Sequence, residues 1–196
     1  MSPGIDRRGE LVAASVRLIA ADGMGGFTLR AVAQAAGIHH ATLLHYFPSK
    51  ATLLQAVVDH LLETLRTPLD DAPAVAPLTA LEAIADEFRD IMRRLRRDMA
   101  MFVVMGELQL HARHAADVRA QLDRLDAALA GYLGHLLSRG VAEGTCRGDL
   151  DVASTRLAIL VQIKGITLQA AAGAGLEDLD RAAEIIVAQL SGWLAA

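Results

Sequence analysis

Apolar residues recur at spacings of three and four along most of this 196-residue chain, which is the period of an amphipathic helix. Leu11, Ala14 and Leu18 show this spacing near the start, and residues 81–95 repeat it with leucine, isoleucine and phenylalanine. Alternating runs typical of strands are few, and only 4% of the residues are aromatic. The sequence therefore predicts an all-α protein.

Charge is unevenly distributed along the chain, although the net charge is only −4. Residues 1–50 contain five basic and three acidic side chains, whereas the remaining residues contain 14 basic and 20 acidic ones. Three of the seven histidines also lie in the first 50 residues. The N-terminal part is therefore the region best suited to binding a polyanion.

No apolar stretch approaches the ~20 residues of a membrane span, and the first ten residues lack the apolar segment of a secretory signal. We therefore expect a cytoplasmic protein. Cys146 is the single cysteine, which excludes a disulfide within the chain. Glu107, His111 and His114 have the spacing of a zinc site on one helical face, but such residues near a helix end are more often solvated. We expect neither a metal site nor a cofactor.

The N-terminal part shows the signals of four helices separated by tight turns. Residues 7–22 form the first predicted helix, and Thr28 is placed to cap a short second one. Gly37 supplies the turn before a third helix, Pro48 ends that helix, and Ser49 caps a fourth. A helix, a tight glycine turn and another helix make a helix-turn-helix arrangement.

A proline-rich loop at residues 67–77 separates these helices from the rest of the chain. Thr79 and Glu82 then form a capping box that begins a fifth helix. Four further helices are predicted at about residues 99–112, 116–139, 152–172 and 177–194, with a loop at 144–151. We assign residues 5–66 to an N-terminal helix-turn-helix domain and residues 67–196 to a C-terminal helical domain.

The predicted helix at residues 152–172 carries two apolar stripes, whereas a surface helix needs only one. One stripe runs through Ile159 and Ile163, and the other contains leucines and a valine. The second stripe must meet another helix layer or another subunit, and with the final helix it predicts half of a four-helix dimer interface. The predicted interface residues are Leu157, Leu160, Val161, Gly165, Leu168, Ile186, Leu190 and Trp193.

Residues 37–47, GIHHATLLHYF, have an unusual composition for a helix of the surface. They mix three imidazoles, a hydroxyl and two aromatic rings with almost no formal charge. A helix that only packs on a core hides an apolar face and shows charge to water. This segment instead has the composition of a surface that contacts a partner.

The segment FTLRAVAQAAGIHHATLLHYFPSKATLL, residues 27–54, resembles the DNA-binding domain of transcriptional repressors of the TetR family, also called TetR/AcrR. The resemblance is carried by Thr28, the Ala-Ala-Gly-Ile turn, Thr42-Leu43, His45-Tyr46-Phe47 and Pro48-Ser49-Lys50. It implies that residues 38–46 are a recognition helix that enters the DNA major groove. It also implies a two-fold dimer that binds palindromic half-sites.

The resemblance further implies which side chains contact DNA. Thr28, Tyr46 and Lys50 would bind phosphates, which hydroxyls and cations can do without reading sequence. Base reading would fall to the recognition helix, with methyl groups suited to thymine. Family members usually have Ser-Lys-Gly where this chain has His39-His40-Ala41, and Tyr where it has Leu44. The predicted DNA-binding residues are Thr28, His39, His40, Ala41, Thr42, Leu44, His45, Tyr46 and Lys50.

For the C-terminal half, the resemblance implies an effector-binding and dimerization domain, in which a bound small molecule shifts the two DNA-reading heads apart. Flexible methionines and aromatic rings suit an irregular apolar ligand, although each of them could simply belong to the core. Lys164 could bind an anionic effector, pair with an acid across the dimer, or reach out to water. The candidate lining residues are Phe88, Met92, Met99, Phe102, Val103, Met105, Tyr132 and Lys164.

The resemblance leads us to expect a homodimeric, ligand-responsive repressor that binds a double-stranded palindromic operator and is released by a small-molecule effector. An activator of the same family is an alternative. Another is a helical carrier or enzyme with the same fold. The sequence shows no Ser-His-Asp order, CxxC pair or phosphate-binding loop, so we expect no enzymatic activity.

Overall fold

The computed structural model describes residues 6–67, 69 and 79–195, and these residues form helices joined by turns, with an isolated β-bridge between Cys146 and Ala195. The predicted all-α class is therefore confirmed. In chain order the helices are α1 (Arg7–Gly26), α2 (Leu29–Ala35), α3 (His40–Tyr46), α4 (Lys50–Arg66), α5 (Ala80–Arg97), α6 (Met99–His111), α7 (Ala116–Ala142), α8 (Val152–Ala171) and α9 (Leu176–Leu194).

Most helix boundaries lie within three residues of the predicted ones. The predicted recognition helix, residues 38–46, begins two residues later in the structure. The helix α3 starts at His40, and His39 has an extended backbone. The predicted loop at residues 67–77 lies, apart from Thr67 and Leu69, outside the described residues. Among the described helices, none has the length and hydropathy of a membrane span.

Short polar side chains begin several helices at the predicted positions. The Thr28 hydroxyl accepts a hydrogen bond from the Ala31 amide at 3.1 Å, which caps α2. Capping boxes begin α4, through Ser49 and Thr52, and α5, through Thr79 and Glu82. Each cap satisfies amide groups that the first turn of a helix leaves without a partner.

The described residues divide into two compact units. The first contains residues 6–67 together with 103–121, and the second contains residues 79–102 and 122–195. The segment 103–121, which the sequence assigned to the C-terminal domain, belongs to the first compact unit. The division into domains at residues 66 and 67 stays a prediction.

The core of the first unit is built from α1 to α4, and α1 contacts both α2 and α4. Residues with no exposed surface include Leu11 and Ile19 of α1, Leu43 of α3 and Leu53 of α4. Phe47, just after α3, is equally buried. Burial of each large apolar side chain stabilises the unit by roughly 1.5–3 kcal/mol.

A kink near the end of α1 is held by a side chain of α6. Gly23 has φ 66° and ψ −176°, a conformation that glycine adopts far more easily than other residues. The next amide, that of Met24, donates a hydrogen bond to the Glu107 carboxylate at 2.9 Å. A Cβ atom at position 23 would lie 3.1 Å from the same Glu107 oxygen. A side chain at position 23 would therefore be strained and would crowd the Glu107 carboxylate.

In the second unit, α5 packs against α9 and α8, and α8 packs against α9. The two stripes predicted on α8 are confirmed, and the structure shows which of them faces inward. Ile159, Ile163 and Ile166 are buried, whereas Leu157 and Val161 are each 60% exposed.

The register of α9 differs from the prediction. Leu190 is 5% exposed and packs inside the chain beside α5, so its assignment to a subunit interface was wrong. Ile186 is half-buried, and the neighbouring Ile185 is exposed instead. The reason is that α9 buries the face that contains Leu179, Ala183, Leu190 and Leu194 against its own unit. Apolar residues on both sides of this helix made its orientation ambiguous in the sequence.

We predict that Glu107→Ala lowers the free energy of unfolding by about 1–3 kcal/mol, because the half-buried Met24 amide loses its acceptor. Glu107→Gln should lose less, because the amide oxygen of glutamine still accepts a hydrogen bond. Urea unfolding followed by circular dichroism measures both values. Leu110→Ala is the matched control, since Leu110 lies on the same helix and is 62% exposed. Equal unfolding midpoints for Glu107→Ala and this control would contradict the prediction.

Candidate nucleic-acid interface

The turn between α2 and α3 has the geometry of a tight helix-turn-helix. Gly37 has φ 66°, as predicted for a glycine turn. Its amide donates to the Gln34 carbonyl at 3.1 Å, and the Ile38 amide donates to the Ala33 carbonyl at 3.0 Å. This pair of bonds is a Schellman motif, which ends one helix and redirects the chain. It fixes where α3 begins relative to α2.

The buried side of α3 determines which of its side chains remain free. Leu43 has no exposed surface, and neither has Phe47 immediately after the helix. The remaining side chains of the segment therefore point away from the core of the first unit. The exposed residues are His39, His40, Ala41, Thr42, Leu44 and His45, while Tyr46 is half-buried. All seven are predicted DNA-binding residues, and the structure places them on one short segment.

The N-terminus of α3 carries no side-chain cap. His39 stands at the N-cap position and accepts no capping hydrogen bond from the helix. Serine, which the TetR-type pattern has there, would accept one. The imidazoles of His39 and His40 are exposed and leave the first turn of α3 open to an incoming partner. Imidazole can donate or accept hydrogen bonds, so this surface can read polar base edges.

Two of the predicted phosphate contacts, Thr28 and Lys50, lie where helices begin. Thr28 is exposed and caps α2, and Lys50 is the exposed first residue of α4. The Lys50 ammonium lies 5.2 Å from the centroid of the buried Phe27 ring, which orients its charge. The Tyr46 ring meets His45 edge to face, with ring centroids 5.5 Å apart. Hydroxyl groups, a cation and a helix N-terminus can all bind phosphate oxygens.

The sequence reasoning missed one residue of this surface, Arg8 at the start of α1. Its guanidinium lies 4.3 Å from the centroid of the Phe47 ring. Its Nη1 donates a hydrogen bond to the Tyr46 carbonyl at 3.2 Å, across 38 positions of sequence. Two arginines at the beginning of an amphipathic helix give no signal of such a contact. The nearby Arg7 instead pairs with Glu10 of the same helix.

The eight residues proposed for an effector pocket do not share one environment. Phe88, Met92 and Phe102 are buried, and Met99 is half-buried. Val103 and Met105 are half-buried and belong to the first unit, whereas the others belong to the second. Tyr132 is 44% exposed, and Lys164 forms an ion pair with Asp126 of α7. Lys164 thus has an acidic partner within its own chain.

A groove of about 500 Å³ runs along α5 and α9 in the second unit. Phe88 and Met92 line it, but none of the other six predicted pocket residues does. Its remaining lining residues are Arg89, Arg93, Arg96, Asp180, Ala183, Glu184, Val187 and Ala188. Arg96 is ion-paired with Asp180, so opposite charges of the two helices already meet at this groove.

A polar pair joins α5 and α7 outside this groove. The side chains of Glu87 and Tyr132 are hydrogen-bonded to each other. Burial is the main cause that raises the pKa of Glu87 above its ordinary value, and the Asp90 carboxylate adds to it. Burial also raises the pKa of the Tyr132 phenol, with Glu87 as the next cause. The environment thus favours the neutral form of both groups.

The proposed interface residues of α8 and α9 are exposed to different degrees. Leu157, Val161 and Leu168 are exposed along one face of α8, and Trp193 is exposed on α9. Gly165 is also exposed and has open space where a side chain would stand. Leu160 is half-buried. Large apolar side chains repeated along one exposed helix face are the usual composition of a contact surface.

A family model matches part of the first unit, and two regulators are similar in sequence to parts of this chain. The family model for bacterial regulatory proteins of the tetR family matches residues 11–57. The HTH-type transcriptional regulator RutR of Escherichia coli K12 is 30% identical over 116 residues, which cover 57% of this chain and 54% of RutR. The regulator BetI of Burkholderia thailandensis is 39% identical over 74 residues, which cover 34% of this chain and 38% of BetI. The chain therefore spans about half the length of RutR, and less of BetI.

Solved structures share the fold over nearly the whole chain. A TetR transcription regulator from Haloarcula marismortui has a TM-score of 0.82 at 20% identity, covering 97% of this chain and 99% of that one. A TetR transcriptional regulator from Chloroflexus aurantiacus has a TM-score of 0.81 at 16% identity and covers 96% of each chain. At these identities the likeness establishes the fold, which is the predicted helix-turn-helix domain followed by a helical domain.

We predict that Lys50→Ala and His40→Ala weaken DNA binding in different ways. The binding is compared between a duplex that the protein selects from a random pool and a scrambled duplex. Loss of a phosphate contact at Lys50 should lower the affinity for both equally, and should reduce the salt slope by about 1. Loss of a base contact at His40 should weaken the binding free energy for the selected duplex alone, by about 1 kcal/mol, and leave the salt slope unchanged.

Fluorescence anisotropy over a range of salt concentrations measures both effects. His60→Ala is the control, because His60 is an exposed histidine of α4 outside the predicted contact set. A His40→Ala variant that loses affinity equally for both duplexes would contradict the assignment of base reading to α3.

Proposed function

We propose that this chain is a TetR-family transcriptional regulator and that it is a repressor, which binds a palindromic operator as a homodimer and is released by a small-molecule effector. The observation that carries the proposal is the exposed face of α3. This face combines three imidazoles, a threonine hydroxyl and two apolar groups on a helix whose other side is buried. We propose that the protein acts in the cytoplasm.

The proposed DNA binding is based on the charge and the position of the exposed side chains. Lys50 and Thr28 would hold the phosphate backbone on either side of α3, which fixes orientation without reading sequence. The imidazoles and the Thr42 hydroxyl would then read base edges, and Ala41 and Leu44 would pack against thymine methyl groups. None of the residues from 37 to 47 carries a carboxylate, so no acidic group of this segment opposes DNA.

The homodimer follows from the unpaired apolar stripe of α8. Leu157, Val161 and Leu168 are exposed in the single chain, and a second copy presents the same stripe. Two identical stripes related by a two-fold axis make a self-complementary interface. Ile185 and Trp193 of α9, which are also exposed, would extend this interface. To meet successive major-groove faces of an operator, the two α3 helices of a dimer would need to lie about 34 Å apart, or a multiple of it.

The effector would bind in the second unit, and the groove along α5 and α9 is the site that we propose for it. Its volume of about 500 Å³ suits a small molecule. The buried Phe88 and Met92 offer an apolar surface, while Arg89 and Glu184 offer polar groups of both signs. The ligand would release DNA only if it binds one spacing of the two α3 helices more tightly than the other.

The first test of the proposal is selection of DNA by the purified protein from a random duplex pool, followed by anisotropy of the selected duplex against a scrambled one. We expect enrichment of a two-fold symmetric sequence and affinity at least 1,000-fold above the scrambled duplex, with a steep salt dependence. A pool that stays random after repeated selection would overturn the DNA-reading role and favour the carrier or enzyme alternative.

We predict that the double variant Leu157→Asp, Val161→Asp is a folded monomer. Charged groups at two exposed positions leave the interior of the unit intact, whereas they would be buried without a partner in a dimer interface. Light scattering coupled to size-exclusion chromatography measures the mass, and circular dichroism the helix content. The monomer should bind the selected duplex at least tenfold more weakly. Leu110→Asp, at another exposed leucine, is the control. A double variant that keeps the dimer mass would exclude this face of α8 as the interface.

A further inference from the structure

The helix α3 is as short as α2 but lacks the side-chain cap that Thr28 gives to α2. It contains only seven residues, and an isolated helix shorter than about 12 residues is marginal in water. Its N-cap residue, His39, makes no capping hydrogen bond through its side chain. The position of α3 therefore depends on the turn at Gly37, on the buried Leu43 and on the contacts at its C-terminal end.

The C-terminal end of α3 is held by Arg8. The Nη1 atom of Arg8 donates a hydrogen bond to the carbonyl of Tyr46, the last residue of α3. The last carbonyls of a helix lack partners within it, and the helix dipole makes them favourable neighbours for a cation. The same guanidinium lies 4.3 Å from the centroid of the Phe47 ring, which follows α3 and is buried. One side chain therefore contacts both the end of the helix and the residue that anchors it.

We infer that Arg8 is a positioning residue for DNA recognition, because its contacts with the Tyr46 carbonyl and the Phe47 ring fix the C-terminal end of α3. The inference rests on the proposed DNA-reading function of α3. Arg8 lies on α1, outside the helix-turn-helix, so it acts on base reading through the orientation of α3.

Arginine is suited to this position in a way that lysine is not. A guanidinium is planar, so it can lie over an aromatic ring and donate a hydrogen bond from its edge at the same time. An ammonium group carries the same charge but has no flat face, so it keeps one of these contacts at the expense of the other. The substitution Arg8→Lys therefore removes the geometry and retains the charge.

The alternative role for an exposed arginine beside a DNA-reading helix is a direct phosphate contact. A phosphate contact depends on charge, acts equally on all sequences and contributes about 0.9 to the salt slope. A positioning role changes the binding of the selected sequence and leaves the binding of a scrambled one nearly unchanged. The two roles thus differ in specificity and in salt dependence.

The test compares Arg8→Lys with Arg7→Lys in the full chain. Arg7 is the matched control because it is the neighbouring arginine of α1 and pairs with Glu10 instead of contacting α3. Amide hydrogen exchange of residues 44–47, measured by NMR on the free protein, reports how firmly α3 is held. Anisotropy with the selected and the scrambled duplex, over a range of salt concentrations, reports specificity. Arg8→Ala is measured in the same way as a second variant.

We expect Arg8→Lys to increase the amide exchange rates of residues 44–47 about three- to tenfold. It should also lower the affinity for the selected duplex about fivefold. Its affinity for the scrambled duplex and its salt slope should equal those of Arg7→Lys. Equal exchange rates in the two variants would overturn the inference. So would an equal loss of affinity for both duplexes, with a lower salt slope in Arg8→Ala, because that pattern belongs to a phosphate contact.

The failure of the proposed function has a different signature. In that case the wild-type protein would not prefer the selected duplex over the scrambled one, whatever Arg8 does. A wild type that prefers the selected duplex, together with an Arg8→Lys variant that prefers it equally, would overturn the role of Arg8 alone.

Discussion

The burial of Leu43 and Phe47 is the constraint on which the candidate DNA-reading surface depends. Both side chains have no exposed surface; Leu43 lies within α3, and Phe47 follows the last residue of the helix. Because Leu43 faces the core and Phe47 anchors the end of the helix there, the side chains of Leu44 and His45 are exposed. The Schellman turn at Gly37 sets where the helix begins, but it is the buried pair that sets its rotation. The exposed histidines are thus a consequence of core packing in the first unit.

Much of the fold could be predicted from the sequence because its helix signals are local. Thr28, Ser49 and Thr79 each cap the helix that follows them, as their side chains and positions indicate. The register of α9 could not be predicted, since isoleucines at 185 and 186 lie next to each other and packing against α5 and α8 decides which is exposed. The contact of Glu107 with the Met24 amide joins residues 83 positions apart, and no periodicity reveals such a bond.

The candidate site also has a part that could be predicted from local sequence and a part that could not. The segment around α3 was predictable because its motif is contiguous and the exposed residues follow from helical geometry. Arg8 was missed because its partners, Tyr46 and Phe47, come together with it only through packing of α1 on the other helices. Lys164 was singled out as a lysine on an apolar stripe, but its partner Asp126 lies on another helix. Pairings between helices need the tertiary structure, since charge patterns along one helix do not specify them.

In the proposed function, a reading helix without formal charge places a stricter demand on geometry than a charged one would. The attraction between a lysine and a phosphate falls slowly with distance and tolerates a shift of an ångström or more. Hydrogen bonds from imidazoles weaken steeply when their angle or length changes, and contacts with thymine methyl groups need close packing. With His39, His40 and Ala41 in place of a fixed cation, the proposed specificity would depend on the position of α3. A short helix that lacks a side-chain cap at its first turn can meet this demand only if its other end is held, which is where Arg8 lies.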